Sequence, residues 1–188
     1  MDQKRILSQA PPASISVSDS LVVRRYVRSD AEGLRDAVAS SVGHLGPWMA
    51  WIQHEPQTVQ QREALIDDWN AQWDAGTDFA MGIFENGLCI GSTGYHLRGP
   101  EGTIEIGYWL ATSHVGRGIM TAVVEKLTHA ACSIPGIDSV EIVTDVANAA
   151  SGAVADRCGY EVIETFAHQP EAPAESGQRL RWARRCSG

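Results

Sequence analysis

The stretch from Glu105 to Thr121, EIGYWLATSHVGRGIMT, constrains this chain more than any other. An apolar run of strand character, Ile104 to Leu110, leads into a short turn, and Gly116-Arg117-Gly118 then opens an amphipathic helix. Glycines let a backbone approach a ligand closely, and the free N–H groups and dipole of a helix N-terminus favour negative charge. The segment therefore reads as a cradle for a phosphate or pyrophosphate. It lacks GxGxxG, and a meander of strands precedes it, which sets it apart from a dinucleotide site.

The rest of the chain supplies the elements around that cradle. Leu21–Tyr26 reads as a strand, and Ser29-Asp30 caps a helix to about Val42 with Leu34 and Val38 on one face. Gly43 to Pro56 reads as a loop that carries His44, Trp48, Trp51 and His54. A second helix runs from Thr58 to about Ala75, with Val59, Ile66, Trp69 and Trp73 at helical spacing. Three strands follow, Phe79–Phe84, Leu88–His96 and Thr103–Leu110, the first two joined by the hairpin signal Asn86-Gly87. Ile119, Met120, Val123, Val124 and Leu127 mark one buried face of the helix after the glycines. Ser139–Val143 is a strand, Asn148–Cys158 a helix, and Tyr160–Phe166 with Arg179–Ala183 a closing pair of strands. The order β-α-α-β-β-β-α-β-α-β-β mixes a meander with a crossover, so the fold class is α/β (α+β) with a mixed central sheet flanked by helices. Residues 1–19 read as a flexible leader and residues 20–188 as a single domain.

Charge and cysteine content narrow the function. A net charge of −8 argues against nucleic acid as a partner. From Glu55 to Glu105 nine acids face two bases, a net of −7, which suits either a cationic substrate or a plain solvated surface. No apolar run approaches the roughly 18 residues of a membrane span, so a cytoplasmic protein without a membrane partner is expected. Cys89, Cys132, Cys158 and Cys186 are scattered, form no CxxC, and are expected to be reduced and buried. The six histidines show no ligand spacing either, so no metal is expected.

The ordered set Glu105-Ile106-Gly107-Tyr108-Trp109-Leu110, His114-Val115-Gly116-Arg117-Gly118-Ile119-Met120-Thr121, Asn148-x-x-Ser151 and Gly159-Tyr160 resembles the GNAT N-acetyltransferases, in particular their RimJ/RimL-like branch. The resemblance spans about Leu21 to Trp182. It implies the GNAT fold, acetyl-CoA as donor, a primary amine as acceptor and no covalent enzyme intermediate. It assigns the pyrophosphate to the amides of Val115, Gly116, Arg117, Gly118, Ile119 and Met120, the thioester to the strand Tyr108-Trp109-Leu110, and the pantetheine arm to Asn148. The family pattern begins with Gln or Arg where this chain has Val115, which implies weaker binding.

Amine acetylation needs a proton acceptor, a polarised carbonyl and a protonated leaving thiolate. Glu105, a lone acid in an apolar strand, is the candidate base, because burial would raise its pKa; holding the substrate ammonium is the alternative. Ser151 is the candidate acid, and an ordinary Asn148 cap with a first-turn Ser is the alternative. A backbone N–H on a splayed or bulged Tyr108–Leu110 strand, with Gly107 permitting a bulge, would polarise the carbonyl. His44, Trp48 and Trp51 are candidates for binding a cationic acceptor through aromatic faces, unless the tryptophans pack against Trp69 and Trp73. The acceptor is either a protein N-terminal α-amine or a small cationic amine or antibiotic, and the protein either a monomer or a homodimer. A non-catalytic CoA-binding sensor is the alternative function.

Overall fold

The computed structural model describes residues 5–186. Met1–Lys4 of the expected leader and Ser187–Gly188 of the expected domain lie outside them. The strands are β1 (Ser14–Ser16), β2 (Leu21–Arg25), β3 (Asp78–Glu85), β4 (Leu88–His96), β5 (Thr103–Leu110), β6 (Ser139–Asp145), β7 (Glu161–Ala167) and β8 (Gln178–Arg185). The helices are α1 (Ala31–Ala39), α2 (Val42–Leu45), α3 (Val59–Asp74), α4 (Ile119–Ala131) and α5 (Ala149–Arg157). The strands form one sheet in the order β1-β2-β3-β4-β5-β6-β8-β7, and every neighbouring pair is antiparallel except β5–β6. The mixed sheet flanked by helices is the expected architecture.

Alternation along the strands builds two cores. Ile104 and Ile106 of β5 bury on one face with Val123, Val124 and Leu127 of α4. On the other face Leu34 and Val38 of α1 meet Ile66 of α3, Tyr26 and Phe84. Ile83 and Phe84, adjacent on β3, point to opposite faces as strand neighbours do, and a bulge that leaves Ile90 of β4 unpaired breaks the β3–β4 register beside them. Asn86 and Gly87 both have positive φ, 50° and 82°, as a two-residue turn that matches strand twist requires. At the start of α3, Thr58 and Gln61 form a capping box.

Three expectations need correction. Ser14–Ser16, inside the expected leader, pair with Val22–Arg24 as an edge strand, and the Arg5 guanidinium donates to the carbonyls of Gly99, Pro100 and Thr103. A three-residue strand is too short to show a period in sequence. The segment 43–56 is not all loop: α2 enters it, and Ala50–His54 form a 3-10 turn with Leu45 and Ile52 buried beneath.

The third correction concerns the cysteines. Cys89 and Cys158 are free and buried, but Cys132 and Cys186 are joined in a disulfide. Cys132 caps the C-terminus of α4, and Cys186 follows β8, whose pairing with β6 carries the chain end under that helix. The two are separated by 54 residues, so only the fold reveals the pairing. Closing a loop of that length restricts the unfolded chain, and reduction is expected to cost about 2–4 kcal/mol. Melting curves with and without reductant check this; identical curves would show that the bond contributes nothing.

Candidate active site

β5 and β6 pair over only three residues, Thr103–Glu105 with Ser139–Glu141. Beyond that point β5 continues to Leu110 and β6 to Asp145 without pairing, so the two strands splay apart. The free edge of β5 is the expected polar opening, and it arises by splay. A bulge at Gly107 is not the cause, because the β4–β5 register runs unbroken from Gly91–Leu110 to His96–Glu105.

A cavity of about 630 Å³ fills the gap. It is lined from one face of the sheet by Glu105, Gly107 and Trp109 and from the other by Tyr108, Asn148 and Ser151. Since neighbouring residues of a strand point to opposite faces, the cavity passes through the sheet. Two reactants can thus meet in the gap from opposite sides.

Glu105 lines this cavity, with 12% of its side chain exposed. It is not the lone charge expected from sequence, because Arg98 Nη1 donates to its carboxylate at 3.0 Å. Opposite it on β4 stands His96, whose Nδ1–H donates to Asp78 Oδ2 at 2.8 Å. A Cβ at Gly107 would lie 3.1 Å from His96 Nε2, so the glycine leaves room for this ring. Sequence reading missed Asp78, His96 and Arg98, all three of which line the cavity.

On the far side, Asn148 is the N-cap of α5 and its side-chain oxygen accepts from the Ser151 amide at 3.1 Å. The cap is thus present, and both residues also line the cavity. Ser151 Oγ donates to the Tyr108 hydroxyl at 3.1 Å, and that hydroxyl donates to the Ser151 carbonyl at 3.0 Å. Burial pushes the Tyr108 phenol up to about 12, against a smaller opposing effect of the Ser151 contact. The pair is therefore fully protonated at neutral pH.

The glycine segment lies beyond the cavity lining. Gly116 and Gly118 have φ of 74° and 73°, a left-handed conformation that side chains resist. Gly118 caps α4 without any side-chain partner. Among the described residues nothing accepts a hydrogen bond from the amides of Val115 to Thr121. Such a run of free donors at the N-terminus of a 13-residue helix is suited to an anion. The Arg117 guanidinium is held by both oxygens of Glu85 at 2.8 and 3.0 Å, which leaves its amide among the free donors. Ile119 and Met120 bury their side chains in the core, as does Leu110, so these three offer backbone only.

The expected acceptor residues divide. Trp48 and Trp51 line the cavity with Trp69, and Trp51 packs 6.0 Å from Trp109. Trp73 is elsewhere, edge-on to Phe79 in the main core. His44 is exposed on α2 and is not among the residues that line the cavity. His54 is likewise exposed.

A second segment reaches over the cavity. Residues 168–177 connect β7 to β8, and the Ala174 amide donates to the Pro47 carbonyl at 2.9 Å, which joins this connection to the tryptophan segment. Asp145, His168 and Glu175 pin it, their ligand-type atoms within 4.8 Å of one another. Sequence spacing did not show this cluster. Its carboxylates are engaged: Asp145 accepts from the amides of Ala147 and Ser176, and Glu175 from those of Glu171 and Ala172 and from Arg179. Burial pushes the Asp145 carboxyl up, but those amides, the Ser176 hydroxyl and His168 together hold it below the usual carboxylate range. The cluster acts as a clasp for the roof.

Comparison with known proteins agrees with this geometry. A family profile described as "Acetyltransferase (GNAT) domain" matches residues 20–161. A relative from Bacillus subtilis (strain 168), described as "Putative ribosomal N-acetyltransferase YdaF", is 30% identical over 145 residues, covering 77% of this chain and 79% of its own. Among solved structures, the microcin C7 self-immunity acetyltransferase MccE in complex with acetyl-CoA and AMP superposes with a TM-score of 0.84 at 20% identity, covering 93% of this chain and 97% of its own. The ribosomal L7/L12 α-N-protein acetyltransferase RimL in complex with coenzyme A gives 0.83 at 22% identity, covering 92% and 97%. At these identities the two structures speak for the fold.

Proposed function

The chain belongs to the acetyltransferase (GNAT) family, and on that premise we propose that it acetylates a protein N-terminal α-amine inside the β5–β6 gap. Acetyl-CoA-dependent N-acetyl transfer is the family's reaction. The acceptor and the residue roles are our reading, and the splay of β5 from β6, open to both faces of the sheet, carries it.

The residues present fit acetyl-CoA. The free amides of Val115 to Met120 and the left-handed Gly116 and Gly118 hold the pyrophosphate. The unpaired edge of Tyr108–Leu110 takes the acyl end and offers a backbone N–H to the thioester oxygen. Asn148 contacts the pantetheine arm. Coenzyme A supplies an activated acyl group and a leaving thiolate when bound.

Glu105 holds the acceptor ammonium and takes its proton, directly or through water. The amine then attacks the thioester carbonyl without a covalent enzyme intermediate. Ser151, hydrogen-bonded to the Tyr108 phenol, delivers a proton to the departing sulfur. Ser151→Ala is expected to lower kcat roughly 100-fold, within the usual range for general acid catalysis. A wild-type rate in a thiol-release assay would refute the acid role.

The α-amine reading is supported by the description of the YdaF relative as a ribosomal N-acetyltransferase, by the Glu105 carboxylate in the cavity, and by Trp48 and Trp51 as faces for a cation. The Ala174–Pro47 hydrogen bond favours a second reading, a small cationic amine enclosed under the roof. Among the described residues no helix is long and apolar enough to cross a membrane, and we place the enzyme in the cytoplasm. A panel of peptides with free N-termini, polyamines and aminoglycosides, assayed for thiol release from acetyl-CoA, separates the acceptors. Turnover on peptides alone supports the first reading, and turnover on small amines alone replaces it with the second.

A further inference from the structure

Acetylating an ammonium removes two protons from one nitrogen. One ends on the departing sulfur, and the other has to leave the site before the next turnover. Glu105 receives it first in the reading above, but its carboxylate lies inside the cavity against Arg98. The proton needs a second station.

His96 stands where such a station is required. It is the direct cross-strand partner of Glu105, which sets their Cβ atoms about 4.5–5.5 Å apart on one face. Asp78, its partner on the other side, accepts from Nδ1–H. A carboxylate on Nδ1 fixes the tautomer and leaves the lone pair on Nε2. Nε2 has no hydrogen-bond partner among the described residues, lies across Gly107 and lines the cavity. The charged groups around the ring are Asp78 from β3, Glu105 from β5 and Arg98 just past β4.

We propose that Asp78 and His96 form a proton-export pair for acetyl transfer, an inference that rests on the amine acetyltransferase reading. As the acceptor N–H bond breaks, an O–H bond forms on Glu105. That O–H bond breaks as an N–H bond forms on His96 Nε2, directly or across one water. The imidazolium, balanced by Asp78, releases its proton to solvent. Asp78 is a positioning residue, because it acts only through the ring.

The test is chemical rescue. His96→Ala is expected to lower kcat roughly tenfold or more while acetyl-CoA affinity and melting temperature hold, and added imidazole should restore the rate in proportion to its concentration. Asp78→Asn should lower kcat with an unchanged KM for acetyl-CoA. His96→Gln fills the space and should be slow without rescue, so the proposal stays testable if the alanine variant fails to fold. A wild-type kcat in either His96 variant, or a slow, folded His96→Ala that imidazole does not restore, overturns it. If the wild-type chain turns over the same amine while His96→Ala matches it, only the export pair falls. If the wild-type chain turns over no amine, the acetyltransferase reading itself falls.

Discussion

Replacing Glu105 with Gln is expected to lower kcat by 100-fold or more, the usual scale for a general base, while leaving the affinity for acetyl-CoA unchanged. The substitution keeps size and hydrogen-bonding shape but removes the charge that binds an ammonium and the oxygen that takes its proton. The anion cradle at residues 115–121 lies outside the cavity that Glu105 lines, and the contacts proposed inside it for acetyl-CoA are made by the Tyr108–Leu110 backbone and Asn148, so acetyl-CoA affinity is expected to hold. The KM for the amine should rise as well, since the ammonium loses its counter-charge. Steady-state rates beside a calorimetric titration of acetyl-CoA read both quantities. Unchanged turnover would remove Glu105 from the mechanism, and lost acetyl-CoA binding would show that its role is structural.

The largest stability effect is expected at Glu55. Its side chain is 5% exposed and is paired with Arg62 of α3, which is 3% exposed. The Glu55 carboxylate also accepts from the Gln57 amide at 3.0 Å, and Arg62 Nε has no partner of its own. Glu55→Ala leaves a guanidinium buried without a counter-charge, which costs about 3–5 kcal/mol. Because Glu55 directly follows the 3-10 turn that carries Trp51, the acceptor side of the cavity should loosen too. Denaturant unfolding measures the loss. The double variant Glu55→Met/Arg62→Met should recover most of it, since no charge then remains buried. A single variant as stable as wild type would show that the pair is not a strong tie.

Much of the frame was legible because local signals agreed. β4 and β5 lie where alternation put them, and the Asn86-Gly87 turn has the conformation its residues demand. The glycine cradle was legible for the same reason: Gly116 and Gly118 are required by backbone angle alone. What sequence hid was long-range. Counting back from the hairpin turn sets Asp78 opposite Tyr95. The bulge leaves Ile90 unmatched and shifts the register by one, so Asp78 faces His96 instead. One residue of slip moves a side chain to the other face of the sheet, so the Asp78–His96–Glu105 row could not be read in advance. The Cys132–Cys186 bond and the Arg98–Glu105 pair were hidden likewise, because each joins segments that only the folded sheet brings together.

In the proposed mechanism acetyl-CoA lies along the free edge of β5 with its pyrophosphate on the amides that open α4. Amide hydrogen exchange, with and without acetyl-CoA, tests it at the residues concerned. The expected result is protection of Val115–Thr121 and of Tyr108–Leu110, with the outer strand β1 unchanged. Protection confined to other segments, or none at saturating acetyl-CoA, would contradict it.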